Sequence, residues 1–198
     1  MLAAEEIQQV CDGLWFWERF QPSVKVACSS CAVRVGAGLI VIDPIPLADE
    51  AMEELEQLGE PAGIIVTNGN HDRAVQHFCA RWRVPVFAHA DTALDFGVER
   101  AVADGDVLFE SIEVVAIPGA GPGEIALRDP RGWLIVGDAL INLEPDGLAL
   151  LPEKYCADSR GMRAALRKLL LFPIEILTFA HGLPLVSRAR PRLEALLA

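Results

Sequence analysis

Apolar positions along the chain recur in two rhythms, and the rhythms predict its elements. Residues 13–19, 24–35 and 38–42 are rich in Val, Ile and aromatics and read as strands, with Gly36 and Gly38 supplying a turn. Over 47–58 the period lengthens. Leu47, Ala51, Met52, Leu55 and Leu58 share one helical face, and Gly59 stands where a helix C-cap belongs. Residues 63–67 form a short buried strand, followed by a helix whose apolar face is Val75, Phe78, Cys79 and Trp82. Residues 84–88 are again a strand, and 106–117 read as a pair of strands. EIALRD and WLIVGD flank the turn signal DPRG and read as a hairpin. Met162, Ala165, Leu166, Leu169 and Leu170 give 159–171 a helical face; 174–179 is a last buried strand, and a short helix closes the chain.

Strand runs precede each helix–strand unit, in two halves. This is not the steady alternation of a doubly wound sheet; it predicts two sheets face to face with helices outside. There is no internal repeat, low-complexity tract or linker, so residues 1–198 are expected to form one domain, long enough to enclose a sizeable core.

Composition narrows the partners. Hydrophobic residues make up 52% of the chain, which predicts complete folding. The net charge of −11 repels phosphate backbones and anionic lipid, so neither nucleic acid nor membrane is an expected partner, whereas a small molecule is. No stretch is apolar and long enough to span a bilayer, and MLAAEEIQQVCDG lacks the basic cluster of a secretory signal, so a cytoplasmic protein is expected. The five cysteines are odd in number, which argues against a disulfide framework. Cys28 and Cys31 form a CxxC with no second copy; a redox pair or half a zinc site is the sharper reading, two strand residues the plainer and favoured one. Trp15 and Trp17 are expected to face opposite ways on their strand, the outward one forming a ligand wall or a homodimer contact.

Polar residues collect where strands end. Asp43 ends LIVID, and Asn68, Asn70, His71, Asp72 and Arg73 follow GIIVT. Ala120 lies in PGAGPG after a strand, Asp138 ends WLIVGD, and His181 follows ILTFA. Such strand ends converge on one pocket in layered α/β proteins. PGAGPG has neither the GK[ST] nor the following helix of a phosphate loop.

Taken in order, LIVIDP, IIVTNGNHDR, AIPGAGPGEIAL, LIVGDAL and LTFAHGLP resemble the signature of the metallo-β-lactamase superfamily over nearly the whole chain. The resemblance implies an α/β (α+β) fold, a four-layer αββα sandwich of two mixed sheets. It implies less about chemistry. Laid on the family's His-x-His-x-Asp-His motif, residues 68–73 put Asn68 and Asn70 on the first two histidines, match Asp72, and put Arg73 on the last; His71 falls on an unconstrained position. Ala120 stands for the third-loop histidine, while Asp138 and His181 match the bridging acid and final histidine. Asn amides are weak zinc ligands and a guanidinium cannot ligate. The expected reading is therefore a fold whose two-metal centre is lost, with no metal cofactor and an unidentified small-molecule ligand. Arg73 would then lie between Asp72 and Asp138 in place of a cation.

The alternative is a hydrolase of a small ester, amide, thioester or phosphoester, with one zinc or other divalent ion on Asp72, Asp138 and His181 and His71 swung in. In that case His181 ligates or acts as base. A thiol protein using Cys28 and Cys31 is a third class. Asp43 is expected to support the site from behind. Glu124 is an acid near the pocket or, slightly favoured, an edge-strand residue in solvent. Lys154 and Tyr155 are read as surface, His77 as solvated and His89 as a loop residue.

Overall fold

Alternation of apolar and polar residues builds the first sheet in chain order, and the computed structural model describes residues 1–92, 94 and 97–198. Its strands are β1 (Gln8–Cys11), β2 (Leu14–Gln21), β3 (Val26–Val35), β4 (Gly38–Ile42), β5 (Glu60–Val66), β6 (Val86–His89) and β7 (Arg100–Val102). β1 to β4 pair antiparallel and β4 to β7 parallel. Parallel pairing needs crossovers. Helix α1 (Asp49–Glu56) carries the chain from β4 to β5, and α2 (Val75–Trp82) from β5 to β6.

The second sheet contains β8 (Val107–Leu108), β9 (Ile112–Ala116), β10 (Ile125–Asp129), β11 (Trp133–Val136) and β14 (Ile176–Phe179), in the order β14-β11-β10-β9-β8. Between β11 and β14 lie the hairpin β12 (Leu140–Leu143) and β13 (Gly147–Leu150) and helix α3 (Ser159–Leu169); α4 (Ala189–Leu197) ends the chain.

Three apolar layers hold the stack. Val33, Ile40, Ile65, Val114, Leu127 and Ile135 fill the space between the sheets. α1 and α2 bury Met52, Leu55 and Phe78 on the outer face of the first sheet. α3 and α4 bury Met162, Leu166 and Leu193 on the outer face of the second. The result is the expected αββα sandwich of two mixed sheets. No helix among the described residues is long and apolar enough to cross a membrane.

The differences from the sequence pattern have local causes. β1 has two exposed glutamines followed by the partly buried Val10 and Cys11, β7 is three residues long, and every residue of β12 and β13 is only partly buried apart from Leu140, so none carries a strong apolar rhythm. Trp15 and Trp17 are both buried against α1 and α2. Residues two apart on a strand share a face, so neither Trp is outward, and the homodimer expectation loses that support. Cys28 and Cys31 are three apart and fall on opposite faces of β3, one under the helices and one between the sheets; both are free thiols.

The parallel registers bring the ends of four strands to one edge of the sandwich. Ile42 lies beside Ile65, and Val136 beside Phe179. The chain therefore leaves β4, β5, β11 and β14 on that edge, carrying Asp43, residues 67–73, Asp138 and His181.

Candidate functional site

Asp43 leaves β4 with φ of 49° and stays buried. Its carboxylate accepts from the Thr67 amide at 2.8 Å and from the Thr67 hydroxyl, and it faces His71 Nδ1 at 3.0 Å. On the other side of the ring, His71 Nε2 is 3.1 Å from Asp138 Oδ1. His181 Nδ1 donates to the Ala27 carbonyl at 2.8 Å, leaving Nε2 3.3 Å from the same Asp138 oxygen. Nε2 of both imidazoles and a carboxylate oxygen of Asp138 thus lie within 4.8 Å of one another.

His71, which the motif left on an unconstrained position, is the centre of this arrangement. Thr67, in the same stretch, steadies it; nothing in the sequence marked Thr67 beyond its place beside the motif. Asp43 lies behind the ring, against Thr67 and His71 Nδ1.

Arg73 is not between two acids. Asp72 is exposed and its carboxylate accepts from the Arg73 amide at 2.7 Å; no ion pair joins Arg73 to Asp72 or Asp138 among the described residues. The guanidinium turns inward. It donates to the carbonyls of Ser29 at 2.9 Å, Asp43 at 3.4 Å and Ala180 at 3.4 Å, and its Nη2 lies 3.3 Å from His181 Nε2. A planar head with five donors serves several carbonyls at once, while Asp72 stays at the surface. Asp72 also stands outside the convergent set, so the three-ligand group is His71, Asp138 and His181 rather than Asp72, Asp138 and His181.

Asn68 and Glu124 close the ground behind Asp138. The Asn68 amide nitrogen donates to Glu124 Oε2 at 2.5 Å and to Asp138 Oδ2 at 3.3 Å, and its oxygen accepts from the Asn70 amide at 2.8 Å. Glu124 is buried, not an edge residue in solvent, because Ala139 N reaches Oε1 at 2.8 Å and Gly137 leaves it room. Ala120 is buried in the core beneath α3, and Asn70 is exposed at the cleft. Asn68, Asn70 and Ala120 thus bring two amides and a methyl to this part of the site, and amides are weak zinc ligands. One ion does fit the donor chemistry of the convergent three. Each ring is held through Nδ1 by an oxygen, which fixes the tautomer and aims Nε2 inward.

Metal-free, the group balances its own charge. Burial and the Arg73 charge oppose protonation of His71, but Asp43 and Asp138 outweigh them and push the ring up to about 9. Burial would raise Asp138, yet His71 and the hydrogen bonds from His181 and His71 hold it well below the usual carboxylate range. Asp43 is lowered in the same way, against its burial, chiefly by His71. Burial, then the charge of Asp138, push Glu124 up to about 8, against the lowering by the Ala139 amide, His71 and Asn68.

His71, Arg73, Asp138 and His181 line a cleft of about 870 Å³. Val24 and Val26, from the turn before β3 and its first residue, and Ile141, Leu143, Leu151 and Tyr155 make its apolar walls, with Lys25, Cys28 and Asp72 also at its surface. Tyr155 is exposed and belongs to the cleft; Lys154 lies over its ring at 4.7 Å. His77 is exposed and His89 ends β6, neither part of the cleft.

A sequence profile described as the metallo-beta-lactamase superfamily matches residues 9–198. Among solved structures, a metallo-beta-lactamase from Pontibacter korlensis superposes with a TM-score of 0.75 at 16% identity, covering 97% of this chain and 98% of its own. The DIM-1 metallo-beta-lactamase gives 0.76 at 15% identity, covering 98% of each chain. TTHA1623, described in a di-iron-bound form, gives 0.64 at 25% identity over 85% of this chain and 93% of its own. No curated protein matches.

Proposed function

The chain belongs to the metallo-β-lactamase superfamily, and from that premise we propose that it is a hydrolase using a single divalent ion, acting on a small ester, amide, thioester or phosphoester. The observation that carries this reading is the convergence of His71 Nε2, Asp138 and His181 Nε2 within 4.8 Å, at the end of an apolar-walled cleft. His71, Asp138 and His181 would hold the ion. When bound, such an ion lowers the pKa of water and polarises the bond to be cleaved.

The remaining work falls to the chain's own groups. Asp43 and Thr67 fix the His71 ring, and the Ala27 carbonyl fixes His181. Asn68 donates to the far oxygen of Asp138, so that Oδ1 faces the rings. Val24, Val26, Ile141 and Leu143 seat the apolar part of the substrate and thin the water around the polar end. TTHA1623, whose structure is described as di-iron-bound, supports an ion in this fold but not the second one here, given the amides at 68 and 70.

A second reading is favoured by Arg73, whose guanidinium already touches His181 Nε2 at 3.3 Å. On it the metal centre is lost and the cleft binds a small molecule without catalysis. Elemental analysis of protein purified without chelator or affinity metal separates the two. About one zinc, iron or manganese per chain, lost on Asp138→Ala, is the expected result. No metal after soaking with zinc and manganese would sink the hydrolase and leave the binder.

A further inference from the structure

We infer that Arg73 is a built-in competitor for the metal, so that it sets how tightly the site holds an ion, an inference that rests on the single-ion reading. Nδ1 of His181 lies 2.8 Å from the Ala27 carbonyl, which can only accept, so Nδ1 carries a proton. A metal would take the other nitrogen, Nε2, which lies 3.3 Å from Asp138 Oδ1. Nη2 of Arg73 stands 3.3 Å from that same Nε2, beside the atom a metal would bind.

The guanidinium is not free to drift off. Three carbonyls hold it: Ser29 within β3, Asp43 after β4 and Ala180 after β14. Two of these belong to the first sheet and one to the second, so the arginine head is tied to both halves of the sandwich. A guanidinium is a permanent cation. An incoming ion must therefore bind a nitrogen that the guanidinium already crowds, and sit beside a permanent positive charge. Asp43 and Asp138 answer that charge only in part, because the same two carboxylates already face His71. The consequence is an ion held weakly enough to be exchanged, or to be absent when metal is scarce.

The test is a zinc titration of chelator-stripped protein against a chromophoric competitor, comparing wild type with Arg73→Gln and Arg73→Met. Tryptophan near-ultraviolet circular dichroism and the melting temperature establish that each variant is folded. Both variants are expected to bind zinc more tightly, by about ten- to a hundredfold, the scale on which outer groups tune metal sites. Arg73→Lys keeps the charge without the planar fork and should fall between. Unchanged or weaker binding in folded Arg73→Gln and Arg73→Met overturns the inference while leaving the single-ion reading intact. Zinc in the variants but none in wild type supports the competitor and overturns the hydrolase. No zinc in wild type or in either variant overturns both.

Discussion

At the scale of single residues, His71 does more than its motif position suggested. One ring nitrogen meets the buried carboxylate of Asp43, and the other faces Asp138. Replacing Asp43 with Asn keeps the size but removes the charge that orients the ring. Zinc affinity in the competition assay should drop by about ten- to a hundredfold. Glu124 offers a prediction in pH. Its folded pKa of about 8 lies above the ordinary value of 4.5, as does that of His71 at about 9 against 6.5. Each raised group contributes stability that is complete below its unfolded pKa and lost as the pH climbs through the folded one. The metal-free protein should therefore melt at a lower temperature at pH 9 than at pH 6. Glu124→Gln removes one of the two groups, so its melting temperature at pH 9 should exceed wild type by about 5 °C, with a flatter profile. An unchanged profile would mean that Glu124 titrates normally.

At the scale of elements, α3 and the turn before it are the parts most open to test. Leu166 is fully buried between α3 and the second sheet. Leu166→Ala should cost about 2–5 kcal/mol in urea unfolding, for a cavity that the sheet beneath cannot close. Asp158 caps the same helix, its side chain accepting from the amides of Arg160 and Gly161. Asp158→Ala should cost about 1 kcal/mol, well short of the core substitution. Gly182 links an element to the site. Its φ of 98° suits glycine, and a Cβ there would run into the Asn142 carbonyl. Gly182→Ala should shift the loop that presents His181 and reduce zinc uptake, read as metal per chain.

At the scale of the whole molecule, the site ties the two sheets together. Asp43, His71 and Arg73 come from the first sheet, Asp138 and His181 from the second, and their contacts cross from one to the other. An ion bound there prefers the folded state, because the unfolded chain does not bring these residues together. Zinc at a hundredfold excess over its dissociation constant should stabilise the protein by about 2.7 kcal/mol, which for a chain of this size raises the melting temperature by about 5–10 °C. Asp138→Ala should lose most of that increment. A calorimetric scan with and without zinc is the check, and an equal shift in both proteins would place the ion elsewhere.

The apolar rhythm of residues 38–66 and 159–179 was enough to determine the principal strands and helices, since which face a residue takes is settled within a few neighbours. The order of polar residues at strand ends likewise determined which loops meet, and brought Asp43, Asp138 and His181 into one group. Weakly patterned strands such as β12 and β13 escaped, because their stability comes from pairing with each other rather than from an apolar face. What only the tertiary structure decided is where each side chain points on arrival. His71 meets Asp43 across 28 residues and Asp138 across 67, and Arg73 meets His181 across 108. Arg73 lies in the same short loop as Asp72, yet it turned to the carbonyls of three strand ends and interiors instead of to its neighbour. A hydrogen bond of about 3 Å depends on the fold of the whole chain, and no local pattern along the sequence carries that distance.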